Sequence, residues 1–286
     1  MRTLLLSLFA IFVIGNCNAQ KKKVKGNKIV MTEEKIVDAF HTVEVYDNFE
    51  VAINEDSDPI VKVEADSNLQ EFIDVTVQDS ILKIKATRDL RRAKALNITI
   101  SYASELKKIK IYDKVNLKSL VLIKSSELTV ETNDNSEAFL SLETGKITAI
   151  TNGKSNIDLH TDSEEAFYQV NENSELKGII KADSLKIDLY QKGYAKLEGD
   201  VKSMLVRADG DTDFYGEKLT SITASIIAEG SSDCYLLTNE EITIEAKDET
   251  EIYLLGEPKI NMTLFTNEAT LYKKKIDYSP GILRLK

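Results

Sequence analysis

The chain has 286 residues, 42% of them hydrophobic and 29% charged, with only 3 prolines and 12 glycines. That is enough to bury a sizeable core, and it excludes wholesale disorder and long flexible linkers. A formal net charge of −10 makes nucleic acid and anionic lipid poor partners.

The first stretch, "MRTLLLSLFAIFVIGNCNAQ", has a basic start at Arg2 and an apolar run from Leu4 to Ile14, too short to span a bilayer with margin. Small residues follow at the two positions a signal peptidase reads, so cleavage is expected after Ala19 and residues 1–19 read as a signal peptide. Asn16 stands where a lipidation signal wants Gly, Ala or Ser, which favours cleavage over lipid attachment at Cys17. No other apolar run is long enough for a membrane helix. Without residues 1–19 the only cysteine is Cys234, so packing and backbone pairing, not a disulfide, must hold the fold.

Residues 20–35, including "KKKVKGNK" at 21–28, read as a basic, disordered leader. Residues 36–107 contain alternating segments such as "PIVKVEA" and "ALNITISYA", expected as an irregular N-terminal β cap with the first coils. "VEVYDNFEV" (43–51) echoes "IKIYDKVNL" (109–117) position by position. The best helical signal is "DSNLQEFI" (66–73), with Asp66 or Ser67 as a cap. "RDLRRAK" (88–94) reads as a solvated basic loop.

From residue 108 to 272 a period appears. "TNDNSEAF", "TNGKSNID" and "VNENSELK" place Asn133, Asn152 and Asn171 at intervals of 19, with Ser136, Ser155 and Ser174 following them. The first apolar residues of successive strands, Leu128, Ile147, Ala166, Leu185, Met204, Ile222, Ile242 and Ile260, lie 18 to 20 apart. Each unit reads strand, polar corner, strand, corner, and is too small to bury its apolar side alone. Stacked as parallel strands about 4.8 Å apart, eight units give a rod of roughly 40 Å. The expected fold is therefore all-β: a parallel β-solenoid, or pseudo β-helix, with ~19-residue coils. The asparagines are expected in left-handed backbone at the corners, bonded along the stack. Residues 273–286 are expected as a C-terminal cap, with Lys273, Lys274, Lys275 and "SPG" blunting the last edge.

The segments from Phe40 through "VEVYDNFEVAI", "VEAD" with Leu69, "ILKI" and "ITISYASELKKIKI" resemble the head-GIN-domain adhesin family of bacterial envelope proteins. The resemblance covers roughly residues 36 to 265 and implies a pseudo β-helix similar in shape to pectin-lyase-like folds, without catalytic residues, and a role in adhesion. The corners here are rich in Asn and acids, where the family often carries Gly-Ser-Gly, so the resemblance attaches no functional residue.

Two candidate sites stand out. Tyr215, Tyr235, Tyr253 and Tyr272 recur at gaps of 20, 18 and 19 and should form an outward ladder, with Phe214, Cys234, Ile252 and Leu271 facing in. Such a ladder suits a glycan or a protein, or serves only as a structural stack. In "DGDTD", Asp209, Asp211 and Asp213 alternate as calcium ligands do, and Asp233 lies one coil on; a solvated corner in an acidic protein is the plainer account. A helix-loop-helix calcium site is excluded, because Phe214 and Thr220 stand where Gly and Glu are required. His41 and His160 lack metal-ligand spacing, and Cys234 reads as a buried filler. No cofactor is implied beyond calcium.

These features favour an exported, non-enzymatic envelope protein, placed in the periplasm, on the outer surface or outside the cell. It would present a rigid surface to a glycan or protein. A polysaccharide lyase or hydrolase would need an acid pair, or calcium with a base such as Arg207 or Lys196 near Asp211 and Asp213. A structural scaffold of an envelope complex is the third reading, and the oligomeric state stays open.

Overall fold

The computed structural model describes residues 21–275; residues 1–20, with the expected signal peptide and Cys17, and residues 276–286, with "SPG", lie outside the described residues. The chain is an all-β parallel solenoid. From Ile123 to Gln191, paired residues lie 19 positions apart: Leu128 with Ile147, Ile147 with Ala166, Ala166 with Leu185. Each coil contributes one strand segment to each of two faces, so residues such as Ala138 and Leu140 on one face, and Ile147 and Ala149 on the other, point into a common core. That core is a stack of columns. One runs Val43, Ile109, Val130, Ala149, Tyr168, Ile187 along the solenoid. Small Ala149 makes room for Tyr168, which is fully buried and donates its hydroxyl to Thr161 Oγ1 at 3.1 Å.

The corner columns are hydrogen-bonded from coil to coil. Asn152 Nδ2 donates to Asn133 Oδ1 at 3.0 Å, and Asn171 Nδ2 to Asn152 Oδ1 at 2.8 Å. The asparagines do not themselves take the left-handed backbone; the next residue does, at Asp134 (φ 64°), Gly153 (77°) and Glu172 (60°). This shift leaves the amides free to face along the stack. Ser136, Ser155 and Ser174 are buried and close each corner, as when Ser155 Oγ donates to Asn152 O at 2.8 Å. Lower down, aspartates take over: Asp113 N donates to Asp134 Oδ2 at 3.0 Å, and Asp47 N to Asp113 Oδ2 at 2.8 Å.

The period is not perfect. Met204 pairs with Ala224 and not with Ile222, which is 41% exposed. A bulge opposite Lys196–Glu198 adds one residue, and the next coil gives it back in register shifts between Gly216 and Thr223. Ile260 and Met262 continue the inward columns, yet they are 44% and 51% exposed because no described strand lies beyond them.

The N-terminal region departs from chain order. Strands Ile81–Ala86 and Leu96–Tyr102 form the lowest parallel level, Thr42–Val45 and Glu50–Glu55 the next, and Lys108–Ile111 and Asn116–Ser119 the third. The echo between residues 43–51 and 109–117 is thus a direct register pairing, Val43 on Ile109 and Val51 on Leu117. Antiparallel strands Ile60–Asp66, Val30–Ile36 and Ile73–Gln78 cover the lower end.

Three local expectations are corrected here. The leader is ordered: Lys23–Lys25 pairs with Asp89–Arg91, and Val30–Ile36 pairs with Ile60–Asp66. Its charges point outward from edge strands, which hid the pairing potential of the backbone. "RDLRRAK" holds that partner strand, with Leu90 buried. Asp66 caps no α-helix; a short 3-10 turn at Gln70–Phe72 follows it, with no side-chain cap. Buried Asp66 instead accepts from Lys28 N and Lys94 N, both at 2.7 Å, and from Ala95 N at 3.3 Å, tying three segments together.

Burial alone would push the Asp66 carboxyl up, but those backbone donors and the Lys28 charge hold it below the usual carboxylate range. A carboxyl depressed in the folded state stabilises above its unfolded value of about 3.9 and loses that contribution as pH falls through the folded value. Asp66→Asn should therefore destabilise by roughly 2 kcal/mol at neutral pH, with the gap to the unmodified chain closing below about pH 4 in urea melts. Ser155→Ala should cost about 1–3 kcal/mol, because Thr132 and Thr151 hydroxyls at 3.0 and 2.7 Å lose their buried partner; equilibrium unfolding measures it.

Candidate functional site

The tyrosine ladder forms because strand alternation is locked in register across four coils. Tyr215, Tyr235, Tyr253 and Tyr272 pair successively, while Phe214, Cys234 and Ile252 between them are buried. Ring centroids lie 5.0, 4.3 and 4.9 Å apart, with interplanar angles of 16°, 6° and 17°. Tyr194 extends the stack at 5.4 Å with a 39° tilt. It escaped the periodic reading because its register partner is Asp213, two positions from Tyr215, so its ring leans across diagonally. Tyr46 and Tyr112 form a second stack at 4.5 Å and 3°, one that the echo of their two segments carried in plain sight.

Inner ring faces of the ladder are covered by neighbouring rings, so it presents edges and hydroxyls outward. The Lys274 ammonium sits 4.4 Å from the Tyr235 centroid and 5.7 Å from that of Tyr253. Tyr253 donates its hydroxyl to Glu251, and that bond, with burial, raises its pKa. Burial and then the nearby aspartates raise the Tyr215 and Tyr235 hydroxyls as well.

Beside the ladder runs a carboxylate column, Asp213 on Asp233 on Glu251. Both aspartate carboxyls are pushed up, first by desolvation and then by like charges: Asp211 for Asp213, and Glu251, Asp213 and Asp211 for Asp233. The other two candidates do not join them. Asp209 is exposed on the strand before the corner, in register with Tyr190 and Glu229. Asp211 lies on the corner, exposed, 3.7 Å from Lys192. Among the described residues no group of three or more His, Cys, Asp or Glu side chains is placed to hold a metal ion.

Of the two bases near this corner, only Arg207 has an ion-pair partner among the described residues. Arg207 faces Asp188 at 4.0 Å, which also pairs with Lys186 at 2.9 Å, and Lys196 lies on the coil below Tyr215. Cys234 is buried among apolar neighbours, and burial raises its thiol.

A second feature was invisible in the sequence. A groove of about 1020 Å³ runs along the solenoid at the bend opposite the asparagine corners. Its floor includes the column Ser125, Thr144, Ser163, Ala182, Val201. Its rim includes the column Lys124, Glu143, Asp162, Lys181, Asp200. Ion pairs link successive coils along it, Lys124–Glu143 and Lys181–Asp162 at 3.1 Å and Lys202–Asp183 at 2.6 Å.

Parallel coils with continuous side-chain columns define a β-solenoid repeat protein. The family profile described as "Putative auto-transporter adhesin, head GIN domain" matches residues 39–179 and again 160–258, and the chain belongs to that family. Among solved structures, a "putative adhesin" from Parabacteroides merdae shares 18% identity and a TM-score of 0.59, over 88% of this chain and 98% of its own. A "putative lipid binding protein" from Parabacteroides distasonis shares 15% identity and a TM-score of 0.59, over 89% and 99%. A "putative adhesin" from Bacteroides fragilis shares 14% and 0.53, over 88% and 97%. At these identities the likeness is one of fold. No curated protein matches the chain.

The raised aspartates have a consequence for stability. A carboxyl whose folded pKa lies above its unfolded value costs stability while ionised, and the cost disappears as pH falls below the unfolded value near 3.9. Asp233→Asn should therefore raise the thermal midpoint at pH 7 and low salt. Thermal melts should show the gain shrinking in high salt and vanishing near pH 4.

Proposed function

We propose that the chain is an exported, non-enzymatic envelope protein that works as an adhesin, holding repeated side-chain columns rigidly against a glycan or protein. The observation that carries this reading is the register itself. Side chains of one type recur over several successive coils, asparagines over three and tyrosines over five, on a rod whose strands are paired from coil to coil, a geometry that suits an extended or repeating surface. Family membership supports it. No helix among the described residues is long and apolar enough to cross a membrane. The tyrosine ladder with its carboxylate column is one contact surface of this kind, offering ring edges and hydroxyls to a partner.

A scaffold role is the second reading, and one feature favours it. The coil from Ile111 to Thr132 has 21 residues, and the surplus is extruded as Leu120, Val121 and Leu122, which are 55%, 38% and 42% exposed beside Phe139 at 48%. Concentration-dependent sedimentation of the purified chain reports on it: self-association through this patch would be weakened by Leu120→Ser/Leu122→Ser.

Adhesion is tested on cells of the source organism with the coding sequence deleted. Attachment to glycan- and protein-coated surfaces should fall several-fold and return on complementation. Complementation with Tyr235→Ala/Tyr253→Ala should restore less. Unchanged attachment after deletion on every surface would remove the adhesin reading.

A further inference from the structure

The groove along the solenoid is unused by anything described so far, and its geometry restricts what can lie in it. It extends from the level of Lys124 to that of Thr220, five coil steps, or roughly 24 Å at about 4.8 Å per step. Its long axis crosses the strands. The floor and rim columns are paired to the coils on either side, while the bend residues Gly145, Glu164, Asp183 and Lys202 fall outside the register, so a peptide laid along the groove finds no continuous strand edge to augment. A peptide strand also advances about 3.3 Å per residue and so falls out of step with rungs about 4.8 Å apart. One rung is instead close to the span of one pyranose unit in an extended chain.

The lining has the matching chemistry. Toward one end the floor is small and polar, with Ser125, Thr144 and Ser163; toward the other it is apolar, with Ala182, Val201 and half-exposed Ile222. A sugar ring has the same two aspects, hydroxyl edges and C–H faces. The Ser163 hydroxyl is shielded from solvent on this floor without a hydrogen-bond partner, in a structure where buried hydroxyls are otherwise largely paired. Lysines 124, 181 and 202 are held by Glu143, Asp162 and Asp183, while Glu164 and Asp200 carry no ion pair among the described residues. Carboxylates outnumber ammonium groups two to one along the walls. That balance repels uronate or sulfated polymers and leaves acceptors for the hydroxyls of an uncharged one.

We infer that the groove from Ser125 to Ile222 is the binding site for a neutral, hydroxyl-rich glycan chain lying along the solenoid axis, about one sugar unit per coil. This rests on the adhesin reading and names the ligand class and the surface within it. Glu164 and Asp200 accept hydroxyls, Ser163 gains a hydrogen bond to the ligand by turning its shielded hydroxyl into the groove, and Ala182, Val201 and Ile222 take the C–H faces.

The test is retardation of the purified full chain in native gels containing a neutral glycan (laminarin, xylan or mannan) or polygalacturonate. At least one neutral polymer should retard the chain, and polygalacturonate should not. Glu164→Lys/Asp200→Lys should weaken neutral-glycan binding at least tenfold and make the chain bind polygalacturonate, a gain that misfolding cannot mimic. A control with the same charge change elsewhere on the surface, Glu33→Lys/Glu240→Lys, should do neither. The inference is overturned by retardation that the groove variant leaves unchanged, by polygalacturonate binding to the unmodified chain, or by equal effects of the two double variants. It is also overturned if no neutral polymer retards the chain. If cells carrying the protein still attach in the adhesion assay in that case, only the groove assignment falls and the adhesin reading stands.

Discussion

Everything in this molecule depends on coil-to-coil backbone pairing in a fixed parallel register. A coil of 19 residues has too little apolar surface to fold alone, and its strands have no partner except the coils above and below. Once the register is set, each side chain rests on the side chain one period away. Apolar residues then build core columns, asparagines bond one another, and tyrosines stack. A coil that departs from the period must restore it nearby, as the shifts between Gly216 and Thr223 do.

The same constraint explains which parts of the fold could be read in the sequence. Asn133, Asn152 and Asn171 and the ladder from Tyr215 to Tyr272 were legible because stacking like on like leaves a periodic trace. The αL position was misplaced by one residue, since Asp134, Gly153 and Glu172 are chemically unlike and share only a backbone angle. Ile222 was misassigned because a bulge moves the inward position to Ala224, and no residue type announces a bulge. The N-terminal region was read only coarsely: its strands pair out of chain order, so Lys23–Lys25 finds its partner at Asp89–Arg91.

The surfaces differ in legibility for a related reason. An aromatic column is rare enough to stand out, whereas a groove is a property of shape. Lys124, Glu143, Asp162 and Lys181 share a rim but differ in charge, and Ser163 and Ala182 share a floor but look like ordinary strand residues. Only the bend of the coil makes them neighbours of a common space. The calcium expectation failed to gather its residues for the converse reason. Asp209, Asp211 and Asp213 are adjacent in sequence, but a corner sends Asp209 and Asp213 down different strands.

The order of the lowest levels bears on how the protein can be made. Thr42–Ile53 rests on strands supplied by Ile81–Tyr102, and Lys108–Leu117 must then return past them to the upper side of the same coil. A chain emerging N-terminus first therefore cannot lay down its coils one upon another from the start. The base closes only after about the first hundred residues are free, and it needs contacts of large sequence separation, the slow kind. Beyond it each coil needs only its predecessor. Assembly thus has one late, costly beginning followed by cheap additions, so lesions near Asp66 and lesions in the upper coils should differ in kind: the first delays the onset of folding, the second truncates its extent.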